Sequence, residues 1–89
     1  MRRVHIFIYG LVQGIFFRSN IRKRAYSLNI KGYVRNIDKG VEAVFEGEEN
    51  NIKKMIEFCK IGPPGAKVGK VNVIDDEYKN EFKEFKVLY

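Results

Sequence analysis

VHIFIYGLVQGIFFRSNIRKRAYSL, residues 4–28, changes its hydrophobic period once, and that change decides the fold. Val4, Ile6 and Ile8 alternate with His5, Phe7 and Tyr9, a period of two that predicts a strand with one strongly apolar face, ending at Gly10. Beyond the segment Gly10 to Phe16, the residues Phe17, Ile21, Ala25 and Leu28 recur at helical spacing, while Arg22, Lys23 and Arg24 point away from them. That pattern predicts an amphipathic helix.

Two β-rich runs follow, Ile30 to Asn36 and Val41 to Glu46, separated by Ile37-Asp38-Lys39-Gly40, which has the turn chemistry of a short hairpin. Glu48-Glu49-Asn50-Asn51 supplies acids and an N-cap for a second helix, whose inner face is marked by Ile52, Met55, Ile56 and Cys59. Gly62-Pro63-Pro64-Gly65 stops it. The remainder holds a strand around Val71 and Val73 and another at Phe85, Val87 and Tyr89, joined by an acidic turn region, Asp75-Asp76-Glu77. Gly69 is compatible with a bulge or with a plain strand. The order is βαββαβ with a short extra C-terminal strand, and two such helices cover only one face of a sheet. The expectation is therefore an α+β fold, the ferredoxin-like α/β plait, with an antiparallel sheet. That architecture hosts RNA binders, metal carriers, regulatory domains and small enzymes, so function must be read from a site.

With 89 residues there is room for one domain, residues 1–89, and none for a second. No apolar run approaches the ~20 residues of a membrane span, and Met1-Arg2-Arg3 leads straight into the first strand instead of a signal-peptide core. The cytoplasm is the expected compartment, with no membrane partner. Cys59 is the only cysteine and His5 the only histidine, which excludes an intrachain disulfide and leaves no cluster for a zinc site. No metal or cofactor is expected. Positive charge is concentrated at the front: residues 1–39 hold nine basic residues and one acid, for +8, while residues 40–89 hold eight basic and ten acidic, for −2. Such an asymmetry fits an anionic partner, and it fits a solvated basic face equally well.

The connection between the first strand and the first helix carries the chemistry. Gly10-Leu11-Val12-Gln13-Gly14-Ile15-Phe16-Phe17-Arg18 has two glycines and one cation at its exit into a helix. Glycines let successive N–H groups point into one concavity, and the helix N-terminus adds free N–H groups and partial positive charge. Arg18 adds a planar fork that can grip two phosphate oxygens, which a lysine cannot do. Taken alone, two glycines and an arginine also fit a turn with no ligand.

The same residues resemble a known family. Gly10 to Arg18, G-L-V-Q-G-I-F-F-R, is similar to the acylphosphatase signature G-x-V-Q-G-V-x-F-R, with Ile15 in place of valine. Gly32-Tyr33-Val34-Arg35-Asn36, and Val41-Glu42 through Gly47, match the family's second motif, and Lys60 to Val68 resembles its G-P-P-x-A-x-V stretch. The resemblance spans the chain in order, with one residue fewer between Asn36 and the Val41-Glu42 pair than the family usually has. It implies a metal-independent, monomeric enzyme that hydrolyses small acyl phosphates to carboxylate and inorganic phosphate. It further implies phosphate held by Gly10, Leu11, Val12, Gln13, Gly14, Ile15, Phe16 and Arg18, and water oriented by Asn36. The chain also resembles the acylphosphatase-like domain at the start of some larger carbamoyl-transferring maturation proteins.

The chemistry of an acyl phosphate suits a site without carboxylate or histidine. The leaving carboxylate has a conjugate acid with a pKa of ~4, so it departs without a general acid. What remains is positioning water and stabilising phosphoryl charge. The other notable side chains have plainer readings: Cys59 as core, His5 as a surface histidine, and Arg22, Lys23 and Arg24 as a solvated face that also steers anions. Phe7 and Tyr9 could stack RNA bases, but the acidic strand Val41 to Glu46 lacks the basic-aromatic signature of such domains, and no nucleic-acid partner is expected. A catalytically silent phosphate- or acidic-protein-binding plait and an RNA-binding plait are the alternatives from other classes.

Overall fold

The computed structural model describes residues 1–14 and 16–89. The chain runs β1 (Arg2–Leu11), α1 (Phe17–Ser27), β2 (Lys31–Ile37), β3 (Gly40–Gly47), α2 (Glu49–Ile61), β4 (Lys67–Asp76) and β5 (Phe85–Leu88). The strands form one sheet in the order β4-β1-β3-β2-β5, the ferredoxin-like arrangement expected from the element order. β1 pairs antiparallel with β3 and β4, and β2 pairs antiparallel with β3. The expectation of an antiparallel sheet needs one correction, because β5 joins β2 in parallel, with Gly32 opposite Phe85 and Val34 opposite Val87. The physical reason is the crossover: the chain leaves β4 at one edge, traverses the sheet, and enters the far edge running the same way as β2.

The apolar faces read from the two periods meet in a single core. Val4, Ile6 and Ile8 of β1, Val34 of β2 and Val41, Ala43 and Phe45 of β3 pack with Phe17, Ile21 and Ala25 of α1 and with Ile52, Met55 and Cys59 of α2. All are essentially inaccessible to water, and each large aliphatic among them contributes about 1.5–3 kcal/mol of burial. Arg22, Lys23 and Arg24 are exposed, as expected for the opposite face of α1. The N-cap of α2 is Glu48, which makes no side-chain capping hydrogen bond, while Glu49 in the first turn meets the helix dipole and pairs with Arg2 at 3.3 Å. No helix among the described residues is long and apolar enough to cross a membrane.

Three details of the sequence reading change in the structure. Asp75 and Asp76 belong to the end of β4, opposite Val4 and Arg3, rather than to a turn. They stay extended because Arg2 bonds Asp75 at 2.9 Å and Arg3 bonds Asp76 at 3.0 Å. Gly69 does mark a bulge, since Tyr9 faces Lys70 while Gly10 faces Val68, leaving Gly69 without a partner. The third concerns His5, expected as a surface histidine: the acids on its face of the sheet are not exposed, because Glu42 and Glu46 of β3 are buried on that helix-free side. Glu42 accepts from His5 at 2.6 Å and from Arg35, so His5 is a half-buried partner and not a surface residue. Glu46 accepts from Arg3 and from the backbone N–H groups of Lys79 and Glu81, pinning the traverse between β4 and β5 across that face. Phe82 of the traverse packs against the Tyr33 ring and under the Arg3 guanidinium.

Candidate active site

The loop expected to hold phosphate lies at the end of the sheet where β1 finishes, anchored on both sides by buried apolar side chains. Val12 precedes it and Phe17 follows it, both excluded from water, while Gln13, Gly14 and Phe16 between them are exposed. Ile15 lies outside the described residues. Gly10 and Leu11, expected in the loop, instead complete β1 and pair with Val68 and Lys67 of β4. The reason is steric. Gly10 sits at the bulge with φ of 131°, and a side chain there would strike the Lys67 carbonyl. Gly14 differs, having open space around it but a φ of 72°, so its glycine supplies conformation and not clearance.

Phe16 also adopts the left-handed conformation, with φ 61° and ψ 24°, and forms the N-cap of α1 without a side-chain capping bond. Its carbonyl accepts from the amide of Asn20 at 3.0 Å and from the side chains of Ser19 and Asn20. The amides of Gln13, Gly14, Phe16, Phe17 and Arg18 donate to no backbone oxygen among the described residues. The first turn of α1 contains no acid. This end of the helix therefore presents unspent N–H donors and an uncompensated positive dipole, the conditions under which a helix start binds an oxyanion.

Arg18, on the first turn of α1, reaches over the sheet end to the far edge strand. Its guanidinium donates to the Leu88 carbonyl at 3.3 Å and lies 4.9 Å over the Tyr89 ring. Leu88 pairs with Arg35, the residue before Asn36, so the guanidinium is held at the level of the strand end that carries Asn36. Asn36 is exposed, and strand alternation puts it on the same face as the buried Val34, the face that carries α1. A cavity of about 530 Å³ opens beside Arg18, walled by α1 and by the edge of β5. Val12, Gly14, Phe16 and Arg18 line it, whereas Asn36 stands outside its wall.

Gln13 does something that its place in the motif does not announce. Its side-chain Nε2 donates to the Ile37 carbonyl at 2.6 Å and to the Gly40 carbonyl at 2.7 Å, tying the loop to the β2–β3 hairpin. The hairpin turns through Asp38 and Lys39 alone, with Lys39 left-handed at φ 61°. Its shortness leaves Asn36 in regular register opposite Val41. No local signal could have found this strut, because its partners lie 24 and 27 residues away. Cys59 is buried in the core, and burial pushes its thiol up to about 12, which removes it as a nucleophile.

The acylphosphatase family pattern matches residues 4–87. The chain is 49% identical to an acylphosphatase of Pyrobaculum aerophilum over 90 residues, covering 99% of this chain and 95% of that protein. Among solved structures it is similar to the acylphosphatase from Bacillus subtilis, with a TM-score of 0.94, 31% identity and complete coverage of both chains. It is similar also to an acylphosphatase from Coxiella burnetii, with a TM-score of 0.91, 36% identity and coverage of 98% and 92%.

Proposed function

The chain belongs to the acylphosphatase family and hydrolyses acyl phosphates, and from that premise we propose which groups do the work: Arg18 and the loop amides from Gln13 to Phe16 hold the phosphoryl group, and Asn36 orients the attacking water. The observation that carries this reading is the coincidence, at one cavity, of the Arg18 fork, the left-handed Gly14 and Phe16, and a helix start with neither cap nor acid. Gly10, Leu11 and Val12 contribute by fixing the loop's origin, through strand pairing and through the buried Val12 side chain.

In the reaction, water oxygen forms a bond to phosphorus while the bond between phosphorus and the acyl oxygen breaks. The electron pair leaves with the carboxylate, which needs no proton because its conjugate acid is strong. Charge on the equatorial oxygens is met by Arg18 and the amides, as phosphoryl transfer is largely positioning and electrostatic stabilisation. The Asn36 side-chain oxygen accepts a hydrogen bond from the water but is too weak a base to keep its proton, and a phosphate oxygen of the substrate receives it. The reaction on this account requires no metal, and residues 1–89 act as one domain, a monomer in the cytoplasm. Against an RNA-binding reading stands the helix-free sheet face, which carries the paired Glu42 and Glu46 and is crossed by the β4–β5 traverse.

The test is hydrolysis of benzoyl phosphate at neutral pH with EDTA present, comparing wild type, Arg18→Ala and a blank without enzyme. EDTA-insensitive turnover that falls by about 10²-fold or more in the variant supports the assignment. Full turnover in a folded Arg18→Ala protein overturns it. A sedimentation measurement checks the monomer.

A further inference from the structure

The six arginines divide into two groups. Arg2, Arg3 and Arg35 are each bound to carboxylates, whereas Arg18, Arg22 and Arg24 have no carboxylate partner among the described residues. Arg24 lies over the Phe58 ring, 4.4 Å from its centre. The other two, Arg18 and Arg22, line the same cavity. They are four residues apart on α1, hence on one face and about 5–6 Å apart at their Cβ atoms.

The opposite wall brings one acid and one base to the cavity, Glu84 and Lys86, which offset each other and leave the two arginines in excess. Phe85 and Val87 of β5 pack into the core, and alternation along the strand turns the Lys86 side chain toward the other face of the sheet. Glu84 and Lys86 also line the hollow beside Tyr33 and Phe82 on that face, so they stand at the edge between the two. The cavity itself, about 530 Å³, is in the range that holds a whole small molecule, about 300–1,000 Å³, and extends past the phosphate cradle along α1 to Arg22. A second cation at that depth, with Ser19 between it and Arg18, makes the cavity a two-station site for anions.

We infer that Arg22 is a specificity residue, and that the preferred substrates are acyl phosphates whose acyl group carries a second anionic group, placed to meet Arg22 while Arg18 holds the phosphoryl group. This rests on the assignment of Arg18 and the loop to the phosphoryl group. The interaction is made equally before and during the reaction, so it acts on KM and leaves kcat nearly unchanged.

The experiment compares 4-carboxybenzoyl phosphate with 4-methylbenzoyl phosphate, which differ by a carboxylate against a methyl on the same ring, in wild type, Arg22→Gln and Arg22→Lys. In wild type the carboxylated substrate has the lower KM. Arg22→Gln is expected to reduce its kcat/KM about three- to tenfold through KM while the methyl compound changes less than twofold, and Arg22→Lys to restore most of the difference. Equal losses for both substrates, or an unchanged ratio, overturn the inference. Titration calorimetry with 4-carboxybenzylphosphonate and 4-methylbenzylphosphonate reads the same preference without turnover. Loss of phosphonate binding in Arg22→Gln confined to the carboxylated compound supports Arg22 as the second station, even if Arg18→Ala were to exonerate Arg18. Indifference of both phosphonates to Arg22→Gln overturns it.

Discussion

Gln13 and Ile37 are joined at 2.6 Å through a side-chain amide donating to a backbone carbonyl, and the second proton of the same nitrogen reaches Gly40. The residue that follows Asn36 is thus fixed directly to the loop that leads to Arg18. Replacing Gln13 with alanine removes two hydrogen bonds, about 1–2 kcal/mol, without disturbing a core residue. Turnover of benzoyl phosphate should fall about tenfold while inorganic phosphate inhibits as before, with circular dichroism unchanged. Equal weakening of phosphate binding would show that the strut shapes the loop and not the water's position.

Arg18→Lys keeps the positive charge and loses the fork. Lysine cannot hold the Leu88 carbonyl and two phosphoryl oxygens in one plane, so kcat/KM should drop by about 10²-fold despite the conserved charge. Steady-state kinetics decides, and a variant within threefold of wild type would mean that charge alone suffices.

Asn36→Ala separates the two halves of the chemistry. Asn36 lies outside the cavity wall, so phosphate affinity should be almost unaffected while kcat falls by about 10²-fold. Competitive inhibition by phosphate, measured beside single-turnover hydrolysis, checks it.

Acid stability should follow the two buried glutamates. Burial, the largest influence, pushes both carboxyls up. It is outweighed at Glu42 by hydrogen bonds from Arg35 and His5, and at Glu46 by the Lys79 amide, Arg3 and the Glu81 amide, so both end below the ordinary carboxylate value. A carboxylate depressed in the folded state stabilises above its unfolded pKa, and that stability is lost as pH falls through the folded value. The melting temperature should therefore hold from pH 7 to about 5 and fall steeply below about 4.5. Glu46→Gln should lower it at pH 7, by about 2 kcal/mol of stability, and flatten the acid limb. A parallel pair of curves would refute the linkage.

Cys59 should be silent. With its thiol buried and pushed up to about 12, it should resist thiol reagents at pH 8 until the protein unfolds. Cys59→Ala should cost about 1 kcal/mol and leave kcat unchanged. Modification of the native protein at the rate of an exposed thiol would contradict the burial.

How much of this was legible in the sequence depended on the range of the interaction involved. The switch of period between Ile8 and Phe17, and the Ile52, Met55, Ile56, Cys59 stripe, identified β1, α1 and α2 with their buried faces, because periodicity is local. Gln13, Glu42 and Glu46 escaped because their partners come from other strands: Glu42 reads as an acid on a strand until Arg35 and His5 are brought to it. Asp75 and Asp76 looked like a turn for the same reason, their extended backbone being stabilised by arginines at the other end of the chain. The roles of Arg18 and Asn36 came from family resemblance, since two glycines and an arginine specify a phosphate loop only weakly.

The strand order has a consequence for how the protein reaches its working form. Of the four neighbouring strand pairs, only β2–β3 is a hairpin; the bonds from Arg3 to Asp76 and from Arg18 to Leu88 span 73 and 70 residues. Closing such loops costs entropy before any contact repays it, and chains dominated by distant pairings fold on the millisecond-to-second scale. The cavity wall is built from one of these late pairings, β5 against β2. Catalytic activity during refolding is then a readout of the final strand docking, and it should lag the recovery of helical signal instead of accompanying it.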